Sequence, residues 1–376
     1  MNHWVIAPVL GPMLVAVALL LTGRQWLQRL IAIGGSVLGA ALMVWLVNRS
    51  RFDGMETYLP GNTLPPMGAV LVLDKVATLA LALLALLHLA VLAHVISRGT
   101  DQQRPKTLVM LHLLISGLNG VVLAGDLASL WLFWCLTLVA FAGVAPGFRR
   151  VAAPGGVALA MALLLAALQG GSVNLADLSE RASGASGLAL AALACWAVGF
   201  AAMLLVPLGA VVGLGSVVVA GRLMLLVPME PWFMPAALFL ALALTFGAWR
   251  NRSVRPVPLA AAVCSTVALY LLAQPRAPAT EAGLWLLLMA ALWSTGALLV
   301  PVLSLVPAQR RRAAQAALGL LLAAPIILAL LLPGKIPTRF AAQINAIARQ
   351  LHQPDLYITA VIGLPDRPML VPEPDL

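Results

Sequence analysis

Long apolar blocks alternate along this chain with short polar ones. Within the blocks there is neither the two-residue rhythm of a half-buried strand nor the three-to-four-residue rhythm of a surface helix. The blocks fall near 4–22, 28–47, 69–97, 107–124, 127–147, 152–170, 187–206, 209–227, 231–249, 257–273, 282–305 and 313–333. About 20 apolar residues carry an α-helix across the hydrocarbon core of a bilayer. The pattern therefore predicts an all-α, polytopic membrane helix bundle of about 12 transmembrane helices over residues 1–333. Continuous rather than alternating apolar runs exclude a membrane β-barrel. Residues 334–376 form a separate terminal piece, in which Phe340, Ile344, Ile347 and Leu351 recur at helical spacing. An amphipathic helix lying along the membrane surface or on a partner fits that spacing.

Composition enforces the same reading. Of 376 residues, 62% are hydrophobic and 10% charged, with a mean hydropathy of +1.00. Soluble domains are roughly half apolar and a quarter charged, so a soluble globular fold, a disordered chain and a disulfide scaffold are all excluded. The net charge of +10 does not point to nucleic acid, because in membrane proteins Lys and Arg concentrate in cytoplasmic loops. Odd-numbered loops hold Arg24 and Arg29; Arg98, Arg104 and Lys106; Arg149 and Arg150; Arg250, Arg252 and Arg255; and Arg310 to Arg312. Even-numbered loops hold Asp53, Glu56, Asp126, Asp177, Glu180, Glu230 and Glu281, while the loop at Pro207 carries no charge. The alternation predicts cytoplasmic odd loops and both termini on the outer side; the expected location is a bacterial inner membrane. The first block lacks the basic start and small-residue cleavage site of a removed signal, and is expected to be a retained helix.

Ionisable residues inside a bilayer are costly and are functional candidates by default. No Asp or Glu falls near the centre of a block, and the three lysines are Lys75, Lys106 and Lys335. His88, His94 and His112 lie within blocks; Arg222, near the end of one, is expected to snorkel to the interface. His112 and Asn119 share a helix face, and with Asp126 they form a candidate ion path. The plainer reading of His112 is a neutral ring hydrogen-bonded between helices. Asp126, in Gly125-Asp126-Leu127, is placed to cap the next helix, and Arg310 to Arg312 to anchor at a membrane face. Cys135, Cys195 and Cys264 lie in apolar runs without metal or redox spacing. With no nucleophile–base pair, phosphate loop or metal cluster, the sequence implies no cofactor and no stand-alone enzyme.

The stretch LLISGLNGVVLAGDLASLWLFWCLTLV, Leu113 to Val139, resembles the D subunit of Mrp/Pha-type multisubunit cation/proton antiporters, relatives of the antiporter-like subunits of respiratory complex I. Gly117, Leu118, Asn119, Gly120, Gly125, Asp126 and Leu127 carry the match. The start MNHWVIAPVLGPMLVA, Val72-Leu73-Asp74-Lys75, Asn174-Leu175-Ala176-Asp177-Leu178 and the tail from Ala341 to Gly363 are similar in the same order. The resemblance implies a relay in which a glutamate of the fifth helix pairs with a lysine of a broken seventh helix, with further lysines or histidines beyond. At the corresponding positions this chain has Cys135, Ala202, Leu214 and Thr295. The P-x-x-x-W-L-P-D stretch after the broken helix is largely missing, and the chain is shorter than is usual in that family.

A proton cannot cross about 30 Å of hydrocarbon without titratable groups or water held by polar ones. The implied function is therefore a D-type membrane subunit of an ion-translocating complex that is structural and does not itself pump. Its expected partners are other membrane subunits and lipid, with no nucleic acid. Two alternatives stay open: an active cation/proton antiporter subunit using His112, Asn119 and Asp126, and a membrane subunit of an inorganic-carbon-uptake or redox-driven complex.

Overall fold

The computed structural model describes residues 3–49, 55–60, 69–98, 104–181, 185–206, 208–225, 256–272, 277–300 and 338–362, with isolated positions between 235 and 302. Helix starts and stops follow local chemistry. Helix α1 (Ala7–Leu21) places Pro8 in its first turn, where a missing N–H is harmless, and carries Pro12 in its interior. After α2 (Gln25–Arg49), a short antiparallel pair forms between β1 (Glu56–Tyr58) and β2 (Leu71–Leu73). Asp74 then caps α3 (Lys75–Arg98), its Oδ1 accepting from the Ala77 N–H at 2.6 Å. The apolar block beginning at 69 thus opens as strand, not as helix: Leu71, Val72 and Leu73 are all buried but run into a capping aspartate. An apolar run alone does not separate a buried strand from a helix.

Helices α4 (Arg104–Leu123), α5 (Leu127–Val144) and α6 (Arg149–Gly170) follow, the last stopped by Gly171 in the left-handed region at φ 65°. A short α7 (Leu175–Arg181) precedes α8 (Ala185–Leu205), α9 (Ala210–Leu225), α10 (Pro256–Leu272) and α11 (Ala277–Leu299). The terminal helices are α12 (Thr338–Leu351) and α13 (Pro354–Ile362). Seven of the helices are long and apolar enough to cross a membrane, and α1, α9 and α10 are shorter apolar helices. The blocks at 231–249 and 313–333, with Pro207 and Arg310 to Arg312, lie wholly or largely outside the described residues.

Small residues set the packing. Gly117 and Gly120 of α4 face Thr137 and Phe133 of α5, and Gly199 of α8 faces Ser216 of α9, which returns antiparallel beside it. Helix α6 packs against both α5 and α8: its Gly156 meets Leu138 and its neighbour Gly155 meets Val198. Close approach of this kind replaces the hydrophobic driving force that lipid removes. On the outer side of α2, Leu30, Ile33, Val37, Leu38 and Val44 are exposed. The exposed Trp26 and Trp45 on this helix stand roughly 28 Å apart at 1.5 Å per residue, about one hydrocarbon thickness.

Among the described residues, the even-numbered loops meet at one end of the bundle. The Gly125 N–H donates to the Val70 carbonyl at 2.8 Å, that of Leu127 to Val173 at 2.8 Å, and that of Leu175 to Gly125 at 3.1 Å. Isolated bridges join Leu71 to Ala124 and Asp126 to Asn174. His3 meets Tyr58 there, ring centroids 5.7 Å apart. The terminal helices arrive at the same end: Gln350 Oε1 accepts from the Lys75 N–H at 3.1 Å, and His352 Nε2 lies 2.6 Å from the Thr280 hydroxyl. Ile344, Ile347 and Ala348 of α12 are buried, and the helix packs on α11 and α3. The described part of its apolar stripe is therefore covered by this chain's own helices.

Candidate functional site

Three of the four implied relay positions are buried apolar or self-satisfied. Ala202 is fully enclosed with its carbonyl against Gly209, Leu214 is buried in α9, and the Thr295 hydroxyl donates to the Ala291 carbonyl one turn back at 2.8 Å. Cys135 is half-buried on α5, on the side that exposes Trp131, Leu132 and Val139. Helix α6 packs against both α5, which carries Cys135, and α8, which carries Ala202.

Polar groups gather instead at two other places. The first lies midway along α2, α3 and α4. His88 of α3 and His112 of α4 meet edge to face with ring centroids 5.0 Å apart. Ser36 of α2 sits between them, its Oγ 3.3 Å from His112 Nε2 and 3.5 Å from His88 Nε2. His112 Nδ1 is 2.9 Å from the Leu108 carbonyl. A cavity of about 20 Å³ opens beside these groups, and Pro12, Gly35, Met43, Leu81 and Asn119 also line it. His112 and Asn119 therefore do share one polar face. His88 and Ser36 complete it; the sequence placed His88 inside a block but gave it no partner and passed over Ser36, because nothing in a linear pattern pairs residues of three helices. The Gly34-Gly35-Ser36 triplet, small enough to admit two rings, was the available signal.

Asn119 also has a structural duty. Pro12 has no N–H, so the Pro8 carbonyl one turn back loses its helical donor. Asn119 Nδ2 donates to that carbonyl at 2.7 Å, and the Ser116 hydroxyl donates to the next one, Val9, at 2.8 Å. In this way α4 repairs the break in α1.

The second place is the even-loop end. Asp126 caps α5 through the Ser129 N–H at 2.7 Å, and its other oxygen accepts from the Val70 N–H at 2.8 Å. Both oxygens hold backbone, and Asp126 does not line the cavity of His112 and Asn119, so the three expected path residues do not join. Nearby, Arg222 of α9 forms an ion pair with Asp74, Nη2 to Oδ2 3.0 Å, and donates from Nη1 to the Val122 carbonyl at 2.8 Å. Its guanidinium lies 5.2 Å from the ring centroid of Tyr357 in α13. Arg222 does not snorkel to water: it is buried because a carboxylate, a helix-terminal carbonyl and an aromatic face meet it inside. Burial pushes the Tyr357 hydroxyl up to about 12, against the downward pull of Arg222. Among the described residues no group of three or more His, Cys, Asp or Glu side chains is placed to hold a metal ion.

No family model matches the chain. It is 32% identical over 142 residues to the D subunit of a Na(+)/H(+) antiporter of Bacillus subtilis, an alignment covering 37% of this chain and 29% of that protein. The D subunit of a probable K(+)/H(+) antiporter of Rhizobium meliloti is 33% identical over 152 residues, 38% of this chain and 28% of its own length. The chain thus matches less than a third of the length of these relatives. Among solved structures, the fold is similar to a chain of the archaeal membrane-bound sulfane sulfur reductase, with a TM-score of 0.65, 15% identity, and coverage of 96% of this chain and 86% of that one. For respiratory complex I from Thermus thermophilus the TM-score is 0.63 at 17% identity, covering 96% and 89%. For the Mrp complex from Dietzia sp. it is 0.52 at 17% identity, covering 96% and 100%.

Proposed function

We propose that the chain is a D-type, antiporter-like subunit of an Mrp- or complex I-type membrane assembly, with a structural role, and that it does not itself pump protons. The carrying observation is the set Cys135, Ala202, Leu214 and Thr295. These neutral side chains stand where the resemblance implies a charged relay, and two of them are wholly apolar. An apolar stretch offers a proton no stepping stone across a bilayer. Of the buried charged side chains among the described residues, Asp74 and Arg222 pair with each other and Asp126 holds two backbone N–H groups, all at one end.

The assembly is one of membrane subunits, and the lipid-facing α1–α2 flank with its Trp26 and Trp45 anchors supports residence in a bilayer. The loop charges support cytoplasmic odd-numbered loops, with the even-loop end on the outer side of a bacterial inner membrane. Deletion of the chain followed by gentle detergent extraction tests the role. The assembly is expected to fall apart, and full-length protein alone in liposomes is expected to move no protons in response to Na(+) or K(+) gradients. Ion-driven acidification by the isolated chain would refute the proposal.

A further inference from the structure

The Ser36–His88–His112 centre has a chemistry of its own. His88 is 13 residues from the start of α3 and 10 from its end, and His112 is 8 from the start of α4 and 11 from its end. At 1.5 Å per residue the pair therefore lies about 12–20 Å from either helix end. Both rings and the Ser36 hydroxyl border a cavity of about 20 Å³, the size of one water. Asn119 borders it too, with its amide nitrogen already committed to Pro8 and its oxygen left to accept. A buried water needs two to four polar partners, and this cavity supplies four.

Acceptors surround His112 in particular. The Leu108 carbonyl lies at its Nδ1, and Ser36 Oγ lies at its Nε2. Carbonyls only accept, so Nδ1 carries a hydrogen and Nε2 of the neutral ring has a free lone pair. Ser36 can donate to that lone pair. It can equally turn and donate to His88 Nε2, presenting its own lone pairs to His112.

We propose that this centre is a binding site for one water and one proton, with His112 Nε2 as the proton acceptor. The proton arrives from solvent and forms the Nε2–H bond. Ser36 then rotates, accepts from His112 Nε2–H and donates to neutral His88 Nε2, and the centre gains one positive charge. A second proton is excluded, because two imidazolium rings 5.0 Å apart repel in a medium of low dielectric.

The other groups around the cavity are neutral: Pro12 from α1, Met43 from α2, Leu81 from α3 and Ile115 from α4. On α1 to α4 the remaining titratable groups stand away from it. In sequence, Arg29 precedes Ser36 by seven residues and Lys106 precedes His112 by six, roughly 9–11 Å along their helices. His94 is six residues beyond His88 and bound to the Leu298 carbonyl. Arg49, Lys75, Arg98 and Arg104 stand at helix ends, and α1 carries none. Asp126 does not line this pocket, and the proposal is independent of whether the chain pumps.

Nitrogen NMR of ¹⁵N-histidine-labelled full-length protein in lipid nanodiscs tests it, with His88→Gln and His112→Gln used to assign the five histidines. Between pH 8 and 5 one ring of the pair, assigned to His112, is expected to become imidazolium while His88 stays neutral. Both rings remaining neutral over that range, or both becoming cationic, would overturn the site. Ser36→Ala, which leaves the helices intact, is the second arm: it is expected to weaken proton uptake at least threefold. Unchanged uptake in that variant would remove Ser36, and with it the proposed switch.

Discussion

Arg222 Nη2 and Asp74 Oδ2 stand 3.0 Å apart with side-chain exposures of 9% and 7%, joining the end of α9 to the start of α3 across 148 residues of chain. Buried pairs of this kind gain little over apolar packing but are costly to halve. Arg222→Met, which leaves Asp74 buried and unpaired, is expected to lower stability by about 3–5 kcal/mol. Adding Asp74→Asn, which keeps an α3 cap, is expected to recover part of that loss. Thermal unfolding in detergent across the four-member cycle measures the coupling, and additive effects would show that the pair is not formed.

The repair of α1 by α4 makes a second cycle. Asn119→Ala is expected to cost about 1–3 kcal/mol, because the Pro8 carbonyl is left without a donor. On a Pro12→Ala background the restored backbone N–H serves that carbonyl, and the same substitution is expected to cost clearly less. Equal losses on both backgrounds would sever Asn119 from the proline break.

Asp126 holds two backbone N–H groups, those of Ser129 and Val70. Removing both acceptors in Asp126→Ala is expected to cost more than Asp126→Asn, which keeps one oxygen for the cap, by about 1 kcal/mol or more. Unfolding midpoints of the two variants decide it, and equal midpoints would mean that the oxygen retained at the cap contributes nothing.

The docking of α13 carries a pH signature. The Tyr357 hydroxyl is raised from 10.0 to about 12 by burial, so the folded state holds this proton more tightly than the unfolded one. Its stabilising contribution is complete below pH 10 and is lost as pH rises from 10 through about 12. Limited proteolysis of the 338–362 region is expected to accelerate over that window, and Tyr357→Phe is expected to flatten the acceleration while keeping the ring under Arg222. A steep rise persisting in the variant would assign the effect to another group.

Much of the architecture is legible in the chain itself, for a physical reason. In lipid every backbone polar group must be satisfied within its own segment, so a long apolar run between basic or acidic loops can only be a helix. The loop parity was readable in the same way, and the ends carrying Asp74, Asp126, Asn174 and Thr280 do gather at one side. The cap at Asp126 was readable because N-capping is local in sequence. Leu71 to Leu73 were not, since a fully buried strand and a buried helix have the same apolar pattern until a neighbour supplies the hydrogen bonds, as Glu56 to Tyr58 and Ala124 do. Partners distant along the chain are decided only by packing. Arg222 reads as an interfacial arginine until Asp74, Val122 and Tyr357 surround it. His112 reads as a lone ring until α2 and α3 bring Ser36 and His88 to its edge. The length and polarity of a segment are properties of the chain alone, whereas the charge state and partner of a buried side chain belong to the space that several helices enclose together.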